Sequence, residues 1–198
     1  MKAAASTEAN ALLVQRARQG DARAFEQLAR DVERPLYRLA VRMVGQVDAE
    51  DVVQDALLAA WRSLASFEGS SFRAWVFRIA TNRALDRLRS RRRHPELPLD
   101  PPAEEDDDRS WAEPAAPGPE LADIAADREA LVFVEEALAT LPAEQRAVLL
   151  LRDIEGFAYE EIAIITAVEI GTVKSRIHRG RLAVRNALVA RGWKGSAG

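Results

Sequence analysis

Residues 159–181, YEEIAIITAVEIGTVKSRIHRGR, decide the fold. The first eight, Tyr159 to Thr166, carry apolar side chains at helical spacing and read as a short helix. A turn at Ala167-Val168 follows, and a second helix is expected from Glu169 to about Ala190. At about 100° per residue, Ile170, Val173, Ile177, Val184 and Leu188 share one of its faces. Thr172, Ser175, His178 and Arg179 share the other, flanked by Lys174, Arg176 and Arg181. A short helix, a tight turn and a basic amphipathic helix form a helix-turn-helix, whose second helix enters the DNA major groove. Thr172, Lys174, Ser175, Arg176, His178, Arg179 and Arg181 are therefore the candidate groove-reading set. Hydroxyls and a guanidinium reach base edges, while flanking cations neutralise phosphates. The same pattern also describes a solvated basic face on an ordinary bundle helix, and Leu182 sits on the polar face without explanation.

Outward from this stretch the periodicity stays helical. Upstream, Asp127 to Thr140 and Ala143 to Ile154 read as helices, separated by Leu141-Pro142 and closed by Glu155-Gly156-Phe157. Nearer the start, Phe25, Leu28, Leu36, Leu39 and Val44 mark one helix, and Val52, Val53, Ala56, Leu57, Ala60, Trp61 and Leu64 another. Asp48 is placed to N-cap the latter, with Asp51 as its capping-box acid. A loop over Phe67 to Ser71 precedes a helix from Phe72 to about Ser90. No segment shows sustained strand alternation with hairpin turns.

Charge is distributed in blocks. Between Phe72 and Arg93 lie Arg73, Arg78, Arg83, Arg87, Arg89, Arg91, Arg92 and Arg93 against the single Asp86. From His94 to Ala122 the sign reverses, with Glu104, Glu105, Asp106, Asp107 and Asp108 in one run and seven prolines from Pro95 to Pro119. Such a segment builds no core. The expected architecture is all-α, with small helical domains at residues 1–92 and 126–198 joined by an acidic, proline-rich linker at 93–125.

Composition bounds the chemistry. The 198 residues are 48% hydrophobic and 30% charged, which suits two small globular domains. The net charge of −3 hides the basic blocks. No apolar run approaches a membrane span and Met1 to Gln19 lacks a signal-peptide core, so the expected compartment is the cytoplasm. With no cysteine and only His94 and His178, thiolate and typical metal sites are excluded, and no cofactor is expected. There is no nucleophile–base pair, phosphate-binding glycine loop or acid cluster at ligand spacing, so the chain is not expected to be an enzyme.

Two further stripes carry information. On the second N-terminal helix, Asp51, Gln54, Asp55, Leu58 and Arg62 oppose the apolar face, placing one leucine among polar neighbours. On the helix after the Gly69 loop, Trp75, Arg78, Asn82, Asp86 and Arg89 recur at spacings of three and four. A polar stripe of this kind can hold single-stranded DNA. Asn82, Asp86 and Arg89 are also placed to bond one another along the helix, and Trp75 is better suited to the core than to stacking on a base.

The chain resembles the extracytoplasmic-function sigma factors, the group 4 members of the sigma-70 family of bacterial RNA polymerase factors. Leu36-Tyr37-Arg38-Leu39-Ala40, Asp48 to Asp55, Trp61, Phe67, and Phe72 to Asn82 with Asp86 and Arg89 look like sigma region 2. Leu141-Pro142, Arg146, Tyr159 to Ala163 and Gly171 to Arg176 look like sigma region 4. The resemblance implies a factor that binds core RNA polymerase and recognises upstream and downstream promoter elements to start transcription. The alternative is a helix-turn-helix regulator that works without polymerase. The resemblance further implies that Asp51, Gln54, Asp55 and Leu58 dock on the β′ clamp coiled coil, that the β flap is a second polymerase contact, and that an anti-sigma factor restrains the protein. Phe67, Ser70, Arg78, Asn82, Arg83, Asp86 and Arg89 would then meet the downstream element and capture an unstacked base. Two positions depart from the family pattern. Ala167 stands where glycine is usual in the turn, so a left-handed backbone there would be strained. Glu169 opens the recognition helix in place of proline or serine.

Overall fold

The computed structural model describes residues 2–69, 71–93 and 121–191, and side chains from residue 10 onward in the first part and from residue 131 onward in the last. The expected acidic linker falls largely on residues 94–120, outside the described residues. Among the described residues the structure is helical, without strands.

The first domain comprises α1 (Lys2–Arg18), α2 (Ala22–Val44), α3 (Gln46–Ser63), a short 3-10 turn (Leu64–Ser66) and α4 (Phe72–Arg93). Asp21 caps α2 by accepting from the backbone N–H groups of Arg23 and Ala24 at 3.0 and 3.1 Å. Leu28, Val32, Leu36, Leu39 and Met43 recur at three and four residues along α2 and are all buried. They pack against Val52, Val53 and Ala56 of α3 and Val76 and Phe77 of α4. Burying each larger side chain is worth about 1.5–3 kcal/mol. The chain passes from α2 to α3 through Gly45 alone, at φ +87, a conformation that side chains rarely adopt.

Two elements differ from expectation. α1 was not marked by the sequence, because its alanine-rich run has no clear apolar stripe. Asp48 does not cap α3, which starts two residues earlier at Gln46. Its buried carboxylate instead accepts from Arg87 at 2.9 Å and pairs with Arg91, fastening the start of α3 to the end of α4. The Arg87 guanidinium, seconded by Arg91, holds the Asp48 carboxyl below the usual aspartate range.

The second domain comprises α5 (Leu121–Thr140), α6 (Ala143–Leu149), a π-helical turn (Leu150–Ile154), α7 (Tyr159–Thr166) and α8 (Ile170–Ala190). α5 begins ahead of the expected Asp127, at Leu121, two residues past the last of the prolines, Pro119. Val148, Leu151, Phe157, Ile162, Ile165, Val173 and Ile177 form its core.

The two domains touch. α4 packs along α7, and α2 meets α5 and α6. Phe77 of α4 and Phe157 before α7 meet edge to face, centroids 4.9 Å apart. Arg146 of α6 donates to the carbonyls of Met43 at 3.0 Å and Arg42 at 3.3 Å, at the end of α2. It also donates to Ala139 and Leu141 of its own domain.

Candidate nucleic-acid interface

The helix-turn-helix forms as the sequence requires. Glu161 reaches back to accept from the Ala158 N–H at 2.9 Å and so starts α7. Ala167 ends it in the left-handed region, φ 53 and ψ 43, the one non-glycine residue at positive φ among the described residues. Val168 then donates to the Ala163 carbonyl at 3.2 Å, which closes the turn and sets the angle between α7 and α8. Val173, Ile177 and Leu188 hold α8 to the core, and the buried Gly180 lies against Leu149 and Leu141. Ile170, expected on the buried face, is instead exposed at the first turn.

The opposite face of α8 is open. Ser175, His178, Arg179 and Lys174 are exposed, and Thr172 and Arg176 partly so. Ser175 Oγ donates to the Thr172 carbonyl at 3.0 Å, and Arg179 lies along the helix, donating to the Ser175 carbonyl at 3.3 Å. Its guanidinium is thus aligned along the exposed polar row of α8. Arg181 is committed elsewhere. Both arms of its fork bind Asp153 of the π-helical turn, Nε at 3.0 Å, and this pairing raises the Arg181 pKa further. It braces α8 against the π-helical turn and is not free to meet a phosphate while so paired.

On the first domain, Arg78, Asn82, Arg83, Asp86 and Arg89 form an exposed row along α4. Asp86 and Arg89 bond each other at 3.1 Å, the intrahelical pairing anticipated from their spacing. Arg89 also lies 3.7 Å from Glu144 of the second domain. Phe67 does not stand at this surface. Its ring is buried, tilted at 39° against Trp75 at 4.8 Å and edge-on to Phe72 at 6.4 Å, and a side chain at residue 69 would collide with it at 2.8 Å. Aromatic burial outweighs display, so Phe67 fixes the loop and does not present a platform to a base. Trp75 belongs to the same cluster, as expected. Ser71 Oγ accepts from the Ala74 N–H at 3.1 Å and caps α4. Ser70 lies outside the described residues.

On α3 the polar stripe is exposed, as its spacing requires. Asp51, Gln54 and Asp55 face solvent around Leu58, whose surface is 51% exposed while Val52, Val53, Ala56 and Ala60 behind it are buried. An apolar groove that the sequence did not disclose runs between α5, the π-helical turn and α8. It is lined by Val134, Leu138, Leu150, Ile154, Val184 and Leu188. No helix among the described residues is long and apolar enough to cross a membrane.

Residues 28–94 match the family model for sigma-70 region 2, and residues 134–184 that for sigma-70 region 4. An ECF RNA polymerase sigma factor, SigE of Mycolicibacterium smegmatis, is 42% identical over 167 residues, 83% of this chain. The chain spans 61% of that relative's length. The ECF RNA polymerase sigma-E factor of Escherichia coli K12 is 36% identical over 88% of this chain and 92% of its own. Among solved structures, CnrH in complex with the cytosolic domain of CnrY superposes with a TM-score of 0.66 at 28% identity, over 92% of this chain and 98% of that one. The sigma factor RpoE in complex with the anti-sigma factor NepR, from Bartonella quintana, superposes with a TM-score of 0.61 at 32% identity, over 83% and 96%.

Proposed function

The chain belongs to the sigma-70 family as an extracytoplasmic-function sigma factor, and from that premise we propose which of its surfaces meet promoter DNA and which meet polymerase. α8 enters the major groove of the upstream element. Ser175 and Arg179 face the groove floor, Thr172 and His178 lie beside them, and Lys174 and Arg176 contact phosphates on its flanks. The exposed row Arg78, Asn82, Arg83, Asp86 and Arg89 of α4, with the preceding loop, holds the melted downstream element. Backbone charge there is met by arginine, and bases by the amide and carboxylate. Arg181 serves this division by holding α8 through Asp153.

The α3 face around Leu58 docks on the β′ clamp coiled coil, since one exposed leucine ringed by polar groups is the composition of a helix-on-helix contact. The groove between α5 and α8 accepts an apolar helix, for which the β flap is the partner of choice. The chain contributes recognition and positioning, and bond formation belongs to the polymerase, so it works where polymerase does, in the cytoplasm. An anti-sigma factor fits the same reading, because similar chains in the two solved complexes are held by a second protein while superposing over most of this chain.

The observation that carries the reading is the pairing, in one chain, of a helix-turn-helix with its polar face open and a separate basic helix beside an acidic docking face. A regulator independent of polymerase has no use for the second set. Run-off transcription with core polymerase on a genomic promoter pool tests it. Initiation at a defined promoter class only when both chain and core enzyme are present is expected. A specific footprint by the chain without core enzyme, together with no transcription when both are present, refutes it.

A further inference from the structure

The seam between the two domains is more than incidental contact. Glu155, which ends the π-helical turn of the second domain, has a side chain only 2% exposed, and among the described residues it pairs with two arginines that both belong to the first domain. Arg38 of α2 reaches one oxygen at 3.4 Å, and Arg73 of α4 reaches the other at 3.2 Å and the Glu155 carbonyl at 2.9 Å. The Arg73 guanidinium also lies over the rings of Phe157 at 4.1 Å and Phe77 at 4.9 Å. A carboxylate is buried only where paired charge compensates it, and here that charge comes from across the seam.

The same closure is at odds with reading a promoter. α4 packs on α7 and α7 on α8, so the two reading helices are two helix packings apart, ~20 Å. Adjacent major-groove sites on one face of DNA are already ~34 Å apart. Closure also places Glu144 beside Arg89, a member of the downstream-element row. Residues 94–120, at ~3.3 Å each, are long enough to let the domains part by more than two turns of DNA. The seam is breakable as well, since Arg38 and Arg73 keep about two-fifths of their side-chain surface in water.

We propose that this seam is a built-in latch: Glu155, clasped by Arg38 and Arg73, holds the two domains closed in the free chain, and the closed form cannot engage promoter DNA, so polymerase and DNA must draw on an open minority. This rests on the sigma-factor reading only in its second half, because closure itself is measurable without polymerase. A ligand that binds only the open form has its apparent affinity reduced by the open fraction.

The test uses the full-length chain. Small-angle scattering should show a compact wild type whose radius of gyration does not change with dilution. Glu155→Ala should expand it and tighten core-polymerase binding about tenfold, with the transcription plateau unchanged. Arg38→Ala with Arg73→Ala, at half-buried positions of the other domain, should do the same and serves if Glu155→Ala fails to fold. Because the chain has no cysteine, Arg42→Cys with Glu135→Cys can be bridged selectively by a short bismaleimide across the seam. The bridged protein should lose transcription that the unbridged variant retains. The latch is overturned if the wild type scatters as two separated domains, if compactness depends on concentration as for exchange between copies, if neither set of substitutions expands the chain, or if the bridged protein initiates normally. Expansion without any polymerase-dependent activity would instead fault the sigma-factor reading and leave intrinsic closure standing.

Discussion

Replacing Ala167 by glycine should stabilise the second domain. Ala167 is exposed and left-handed, at φ 53 and ψ 43. For a residue with a Cβ that conformation costs about 1–2 kcal/mol. Glycine avoids the clash but loses more backbone freedom on folding, at a cost of about 0.5–1 kcal/mol relative to alanine. Because the methyl group contributes little packing, the difference leaves a net gain of about 0.5–1 kcal/mol. For a domain of this size that corresponds to a rise in melting temperature of roughly 2–8 °C. Thermal and urea unfolding followed by circular dichroism would measure it, with promoter affinity as a control that the α7–α8 angle is kept. A loss of about 0.5–1 kcal/mol, the ordinary cost of glycine where alanine fits, would show that the turn is not left-handed and that the helix-turn-helix has a different geometry.

Arg179→Ala should cost about 1–3 kcal/mol on the preferred promoter and relax preference at one base, whereas Lys174→Ala should weaken all promoters alike and lower the salt slope by about one ion. Affinities for a promoter library at several salt concentrations separate the two, and the opposite assignment would mean that α8 is rotated about its axis, with Lys174 toward the groove floor. Leu58→Asp should abolish pull-down by core polymerase while helicity by circular dichroism stays unchanged, and a folded variant that still binds would remove α3 as the docking face. Asp48→Asn should destabilise the first domain most at neutral pH. The native Asp48 carboxyl is held below its unfolded value of about 4, so its stabilisation is complete above that pH and is lost as pH falls through the lower, folded value. Urea midpoints of the two proteins should therefore converge on acidification, and a gap that widens would contradict the pairing with Arg87.

What could be read from the sequence follows from what is local. The helix-turn-helix was legible because the periodicity of both helices and the turn at Ala167 all lie within 23 residues, and the α3 stripe because one leucine interrupts a polar face. Asp48 misled for the same reason. Beside a helix start an aspartate looks like a cap, and nothing local reveals arginines 39 and 43 positions later whose charge, once folded, favours burial over capping. Phe67 is assigned to the downstream element by resemblance alone, and the ring-on-ring contacts that bury it come from α4. Glu155-Gly156-Phe157 read as a connector. Its part in the seam depends on a π-helical turn and on residues more than 80 positions away. The apolar groove was hidden because its lining is drawn from three elements, none of which carries a continuous stripe toward it.

The same contrast between local and distant partners governs the strongest charge signal in the chain, the eight arginines between Phe72 and Arg93. Taken from composition, all are candidates to neutralise DNA. The structure divides them. Arg73 is bound to Glu155, Arg87 and Arg91 to Asp48, and Arg89 to Asp86 with Glu144 nearby. Arg78, Arg83, Arg92 and Arg93 make no ion pair among the described residues. Counterion release counts only cations that exchange a counterion for a phosphate, at about 0.7 per contact on a single strand. The α4 contribution to the salt slope for single-stranded downstream-element DNA should then be about 3 from these four, or about 3.5 once opening of the seam frees Arg73 from Glu155, against about 5.6 for the whole block. Arg78→Ala and Arg83→Ala should each reduce the slope measured with the full-length chain by about 0.7. Arg87→Ala should leave the slope unchanged while lowering the unfolding midpoint, because it strips the buried Asp48 of its main partner. Equal reductions in slope from all three substitutions would show that the pairing with Asp48 gives way on DNA binding, and that the block acts as one undivided cationic surface.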